Sequence, residues 1–199
     1  MMAKVCGLTA PEDVAATLAA GADLVGFLSH PASPRHCPDP ALPRLAGDRA
    51  VLVAVAEGPE PLLRWAEACG AGWVQPYLPS RAGLTALRRA GLRILLPWPD
   101  EPDQEPAEAD LYLWETGPKA TGLPGGSGVV HGLAHPPPGP FILAGGLRGD
   151  LLADRFAALP GHPRCAGFDA ASRLERAPGR KDPDLVAAFV RAAHALERP

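Results

Sequence analysis

Short apolar runs of strand length recur along this chain, with Ala/Leu-rich helical stretches between them. Eight stand out, at residues 4–8, 24–28, 50–55, 73–75, 93–96, 110–114, 140–143 and 165–168. Spread over 199 residues they leave about 25 residues per unit, close to the minimum for a strand, a helix and two loops. Alternating strand and helix predicts a parallel sheet, because each parallel pairing needs a crossover. Eight units predict an α/β fold of the (β/α)8 TIM-barrel type, one domain over residues 1–199. An open doubly wound sheet is the other way to arrange the same units.

The helices have recognisable starts. Thr9-Ala-Pro-Glu12 reads as a capping box with proline in the first turn, opening a helix that ends near Gly21. Others are predicted at 60–68, 81–90, 150–159 and 184–195. Two connections read as irregular: the Pro/Glu/Asp stretch 97–109, where a helix is due, and the Gly/Pro stretch 117–128.

Composition removes several classes. The chain has 25 prolines and 22 glycines, yet 47% hydrophobic residues and a net charge of −3 place it with globular domains. No run approaches the ~20 apolar residues of a membrane span, and the acidic balance argues against a nucleic-acid partner. Cys6, Cys37, Cys69 and Cys165 lie far apart, which predicts reduced thiols and a cytoplasmic location. The absence of asparagine, the loop prolines and the excess of arginine over lysine suit a protein that works hot, or a GC-rich coding sequence.

In a barrel of this kind the reactive groups sit at strand C-termini and in the loops that follow. Lys4 and Cys6 fall on one face of the first strand and should point inward, with Val5 toward the helices. The Lys4 ammonium is expected to favour the Cys6 thiolate, making Cys6 a candidate base, although a buried cysteine is often only a small hydrophobe. Arg35, in the proline-braked loop after the second strand, is either a fork for a substrate carboxylate or a solvated surface charge. Glu115 ends the sixth strand, where burial raises a carboxyl pKa and suits it to donate a proton. Gly125–Gly128 and Gly145-Gly146 are glycine clusters, the second directly after the seventh strand, where barrels bind phosphate. Asp169 ends the eighth strand, and Ser172 beyond it is placed to complete a phosphate cradle. Arg180 and Lys181 are equally read as charges that solubilise their loop. His30, His36, His131 and His135 show no zinc-ligand spacing.

These segments, taken in order, carry a resemblance. Lys4-Val-Cys-Gly-Leu-Thr9, Gly21-Ala-Asp-Leu-Val-Gly-Phe27, Ser33-Pro-Arg35, Gly125-Gly-Ser-Gly128, Leu143-Ala-Gly-Gly-Leu147 and Pro178-Gly-Arg-Lys-Asp182 resemble the motifs of phosphoribosylanthranilate isomerases. They span residues 4 to 182. The resemblance implies a compact barrel of the ribulose-phosphate-binding type, with the fifth helix reduced to a loop. It implies the Amadori rearrangement of N-(5-phosphoribosyl)anthranilate to 1-(2-carboxyphenylamino)-1-deoxy-D-ribulose 5-phosphate in tryptophan biosynthesis, with no cofactor and no metal. The partner it implies is a small phosphorylated substrate, bound by a monomer or homodimer. Cys6 would be the general base and Glu115 the general acid. Arg35 would pair with the anthranilate carboxylate, Asp169 would touch its amine, and Gly145, Gly146 and Ser172 would hold the phosphate.

The chain also departs from the motifs. Glu115 stands where the family usually has aspartate, which keeps the acid chemistry but adds a methylene. Gln75-Pro-Tyr77 replaces Q-L-H-G after the fourth strand, and Ala171 and Arg173 interrupt the segment after the eighth. A histidine-pathway isomerase usually has aspartate at the position of Cys6. A barrel that binds phosphate without catalysis is the reading from another class.

Overall fold

In the computed structural model, residues 1–55, 58–77, 79–99, 107–115, 135–159 and 162–197 are described. Eight parallel strands close into a barrel in sequence order: β1 (Met2–Cys6), β2 (Leu24–Ser29), β3 (Ala50–Val55), β4 (Trp73–Tyr77), β5 (Arg93–Pro99), β6 (Leu111–Glu115), β7 (Phe141–Leu143) and β8 (Cys165–Ala170), with β8 returning to β1. The α-helices among the described residues are α1 (Pro11–Ala19), α2 (Glu60–Cys69), α3 (Arg81–Arg89), α4 (Leu152–Ala157) and α5 (Pro183–Ala195). A two-stranded hairpin, β9 (Glu175–Ala177) with β10 (Arg180–Lys181), follows β8. All eight apolar runs overlap strands, the first shifted from 4–8 to Met2–Cys6, and the closed ring replaces the open-sheet alternative. The connection between β5 and β6, where a reduced helix was expected, lies largely outside the described residues.

Alternation along each strand sorts side chains into two apolar layers. Val5, Val25, Phe27, Leu52, Val74, Ile94, Trp114 and Phe168 pack with the helices. Leu24, Val51, Val53, Trp73, Leu95, Leu113 and Ile142 fill the barrel interior, as packed TIM barrels require. Cys6 packs against that inner layer while Val5 belongs to the outer one, as the period of two predicts. The register shifts between β7 and β8, where Phe141 partners Cys165 but Ile142 partners Gly167. The extra residue, Ala166, faces inward with the central layer.

Two local expectations are corrected. Thr9-Ala-Pro-Glu12 is not a capping box: α1 starts at Pro11 after Ala10, with no side-chain cap. The Thr9 hydroxyl instead donates to the carbonyl of Gly179 at 2.7 Å, tying the loop after β1 to the β9–β10 hairpin. The segment 150–159 opens as a 3-10 turn, Gly149–Leu151, and becomes α-helical only at Leu152.

Candidate active site

The C-terminal ends of the strands surround a cavity that opens to solvent and is lined by Cys6, Arg35, Gln75, Tyr77, Glu115 and Asp169 among others. Four of the residues singled out from sequence thus meet at one cavity: Cys6 from β1, Arg35 from the loop after β2, Glu115 from β6 and Asp169 from β8.

Lys4 lies beneath, fully buried, its Nζ 2.8 Å from Asp169 Oδ1. Burial pulls this ammonium down, but Asp169 and Cys6 outweigh it and hold Lys4 charged, above its usual range. The expected effect on Cys6 needs correction. Lys4 does favour the thiolate, yet burial is the larger influence and Asp169 adds repulsion, so the thiol is pushed above its ordinary 9.0. Space for that thiol is made by Gly26, the register partner of Cys6 on β2. A Cβ there would lie 2.6 Å from Cys6 Sγ.

Glu115 is buried at the end of β6. Burial raises its pKa to about 7, against the pull of a hydrogen bond from Tyr77 and with a further push from Asp169. A buried carboxyl at that value holds a proton near neutrality and can give it up.

Arg35 is not a free surface cation. Its Nε and Nη2 donate to the two carboxylate oxygens of Glu175 at 2.8 and 2.9 Å. Glu175 also accepts from Lys181 Nζ at 2.9 Å. Burial pushes the Glu175 pKa up, but Arg35 and Lys181 more than reverse that and leave it low. Lys181 is correspondingly no solubilising charge: it is 1% exposed, and its Nζ also donates to the carbonyl of Ala171 at 3.0 Å. Arg180 is ion-paired with Glu12 and Asp13 on α1.

Gly145, Gly146 and Ser172 are not among the residues lining this cavity. Both glycines take positive φ, 99° and 63°, immediately beyond β7. Ser172 heads the 3-10 turn Ser172–Leu174 beyond β8. The Gly125–Gly128 cluster and His131 lie outside the described residues.

Comparison with known proteins then bears on the whole chain. No family model matches it. The N-(5'-phosphoribosyl)anthranilate isomerase of Rhodopseudomonas palustris strain BisB18 is 37% identical, over 99% of this chain and 97% of its own. The chain belongs to the phosphoribosylanthranilate isomerase family. The isomerase of that name from Parvibaculum lavamentivorans is 32% identical over 96% of both chains. Among solved structures, TrpF from Jonesia denitrificans superposes with a TM-score of 0.76 at 31% identity, covering 98% of this chain and 97% of its own. The phosphoribosyl anthranilate isomerase of Thermus thermophilus gives 0.77 at 25% identity, covering 96% and 98%. Sequence alone assigns no role to Tyr77, which lines the cavity, or to Glu175, which holds Arg35 and Lys181. For Tyr77 a signal existed in Gln75-Pro-Tyr77, whereas the Glu175–Arg35 pairing spans 140 positions and leaves no local pattern.

Proposed function

We propose that this isomerase converts N-(5-phosphoribosyl)anthranilate to 1-(2-carboxyphenylamino)-1-deoxy-D-ribulose 5-phosphate with Glu115 as general acid and Cys6 as general base. The observation that carries these roles is the presence, in one cavity, of a buried carboxyl with a pKa of about 7 and a half-buried thiol on another strand. Glu115 gives its proton to the ribose ring oxygen, the C1–O bond breaks, and the anthranilate nitrogen lone pair forms the C1=N iminium. The Cys6 thiolate removes the C2 proton, and the electron pair of that C–H bond neutralises the iminium to an enolamine. Tautomerisation, with a proton added at C1 and the C2 hydroxyl proton lost, gives the ketone.

Arg35, oriented by Glu175, presents its remaining N–H groups to the anthranilate carboxylate. Asp169, held by Lys4, faces the anthranilate amine. Gly145, Gly146 and Ser172 take the phosphate, which anchors the end of the substrate that does not react. We place the reaction in the cytoplasm, where far-apart cysteines stay reduced.

The competent form has Glu115 protonated and Cys6 ionised. Because the thiol sits above 9.0 and the carboxyl at about 7, this form is a minority at every pH. Its population rises with pH until Glu115 titrates, stays level, and falls once pH passes the thiol value. The acidic limb of the kcat/KM profile therefore reports Glu115 and the alkaline limb reports Cys6. Substrate loss, followed by fluorescence, tests both roles. Cys6→Ala and Glu115→Gln are each expected to lower kcat by at least about 100-fold. Full turnover by either variant removes the corresponding role, and no decay above the spontaneous rate in the unaltered protein favours a binding barrel.

A further inference from the structure

Two departures from the family motif, Tyr77 at the end of β4 and Glu115 at the end of β6, touch each other. The Tyr77 hydroxyl donates to Glu115 Oε1 at 2.6 Å and accepts from Gln75 Nε2 at 3.1 Å. Gln75, Tyr77 and Glu115 are 2%, 7% and 7% exposed, and all three line the cavity. A phenol carries a single proton, and the Gln75 amide aimed at its oxygen directs that proton toward the carboxyl. Oε1 is then already an acceptor, so a protonated Glu115 carries its own hydrogen on Oε2. The same contact removes rotamer freedom that the extra methylene of glutamate would otherwise bring to the site.

We propose that Tyr77 is the positioning residue of the general acid: its hydroxyl occupies Oε1 of Glu115 and thereby places the transferable proton on Oε2. The inference rests on Glu115 being the acid. It makes a paired device of two substitutions that look independent in sequence, with reach gained at Glu115 and constrained from Tyr77.

The groups facing Glu115 fix the sign of the test. Tyr77 on β4 stabilises its carboxylate, Lys4 on β1 does so at longer range, and Asp169 on β8 opposes both. Removing the Tyr77 hydroxyl therefore raises the pKa of Glu115. Tyr77→Phe keeps the ring and its packing.

The carboxyl is followed in the free protein by 13C NMR titration, assigned by the resonance that vanishes in Glu115→Gln, beside the kcat/KM profile of each variant. In Tyr77→Phe the titration and the acidic limb are expected to move to higher pH. The expected kcat is about tenfold lower, with KM held within about twofold. Gln75→Met leaves Tyr77 and Glu115 in place, and it should move the titration the same way by less. It also serves if Tyr77→Phe does not fold. Turnover retained by Glu115→Gln overturns the acid assignment itself. Turnover lost in Glu115→Gln, with the titration unmoved or lowered in Tyr77→Phe, overturns the positioning role alone.

Discussion

Cys6 and Gly26 face each other across the β1–β2 ladder, and the thiol occupies the place where a side chain at position 26 would begin. Gly26→Ala should therefore act as a local displacement of the base. Overpacking of this kind costs about 1–3 kcal/mol, and moving the sulfur by ~1 Å lowers turnover on the order of 100-fold. Urea unfolding and steady-state kinetics measure the two effects separately; full kcat in this variant would show that the thiol need not stay where β2 makes room for it. Glu175 offers a second residue-level test. Its carboxylate neutralises Arg35 and the buried Lys181 together. Glu175→Gln leaves both cations without that charge and is expected to destabilise by about 3 kcal/mol. With the Arg35 fork no longer oriented, KM should rise more than kcat falls.

At the level of elements, legibility tracked burial and length. The strands β1 to β8 announce themselves because each is a mostly buried parallel strand, read as a short, predominantly apolar run even where Lys4, Gln75 or Asp169 interrupts it. The hairpin β9–β10 does not, since strands of three and two residues show no periodicity. Thr9 misled for a physical reason: its hydroxyl had a long-range acceptor, the Gly179 carbonyl, that no neighbouring residue could reveal. Cys6 and Glu115 were found as candidates from their positions at strand ends, while the direction of the Cys6 shift required knowing how deeply the thiol is buried. The α5 start, by contrast, is a local device. Asp182 accepts from the backbone N–H groups of Asp184 and Leu185 at 3.0 and 3.2 Å, with proline as the first helical residue. Asp182→Ala should cost about 1 kcal/mol, read from a chemical denaturation midpoint with kcat unchanged.

For the whole molecule, 25 prolines among 199 residues limit the unfolded chain as much as they shape the folded one. Together with the absence of asparagine, this gives an expected melting temperature well above the mesophilic range of about 45–65 °C, checked by calorimetry; a midpoint inside that range assigns the composition to the coding sequence instead. Barrel closure has a kinetic meaning as well. The Lys4–Asp169 ion pair lies on the β1–β8 seam and joins residues 165 positions apart. Closing so long a loop defers its reward until most of the chain is in place. Cys6 and Asp169 therefore come together only when the ring is shut, and a chain with seven strands docked has no working centre. Recovery of turnover during refolding should follow the slowest structural phase, so that catalysis itself certifies that the last strand has found the first.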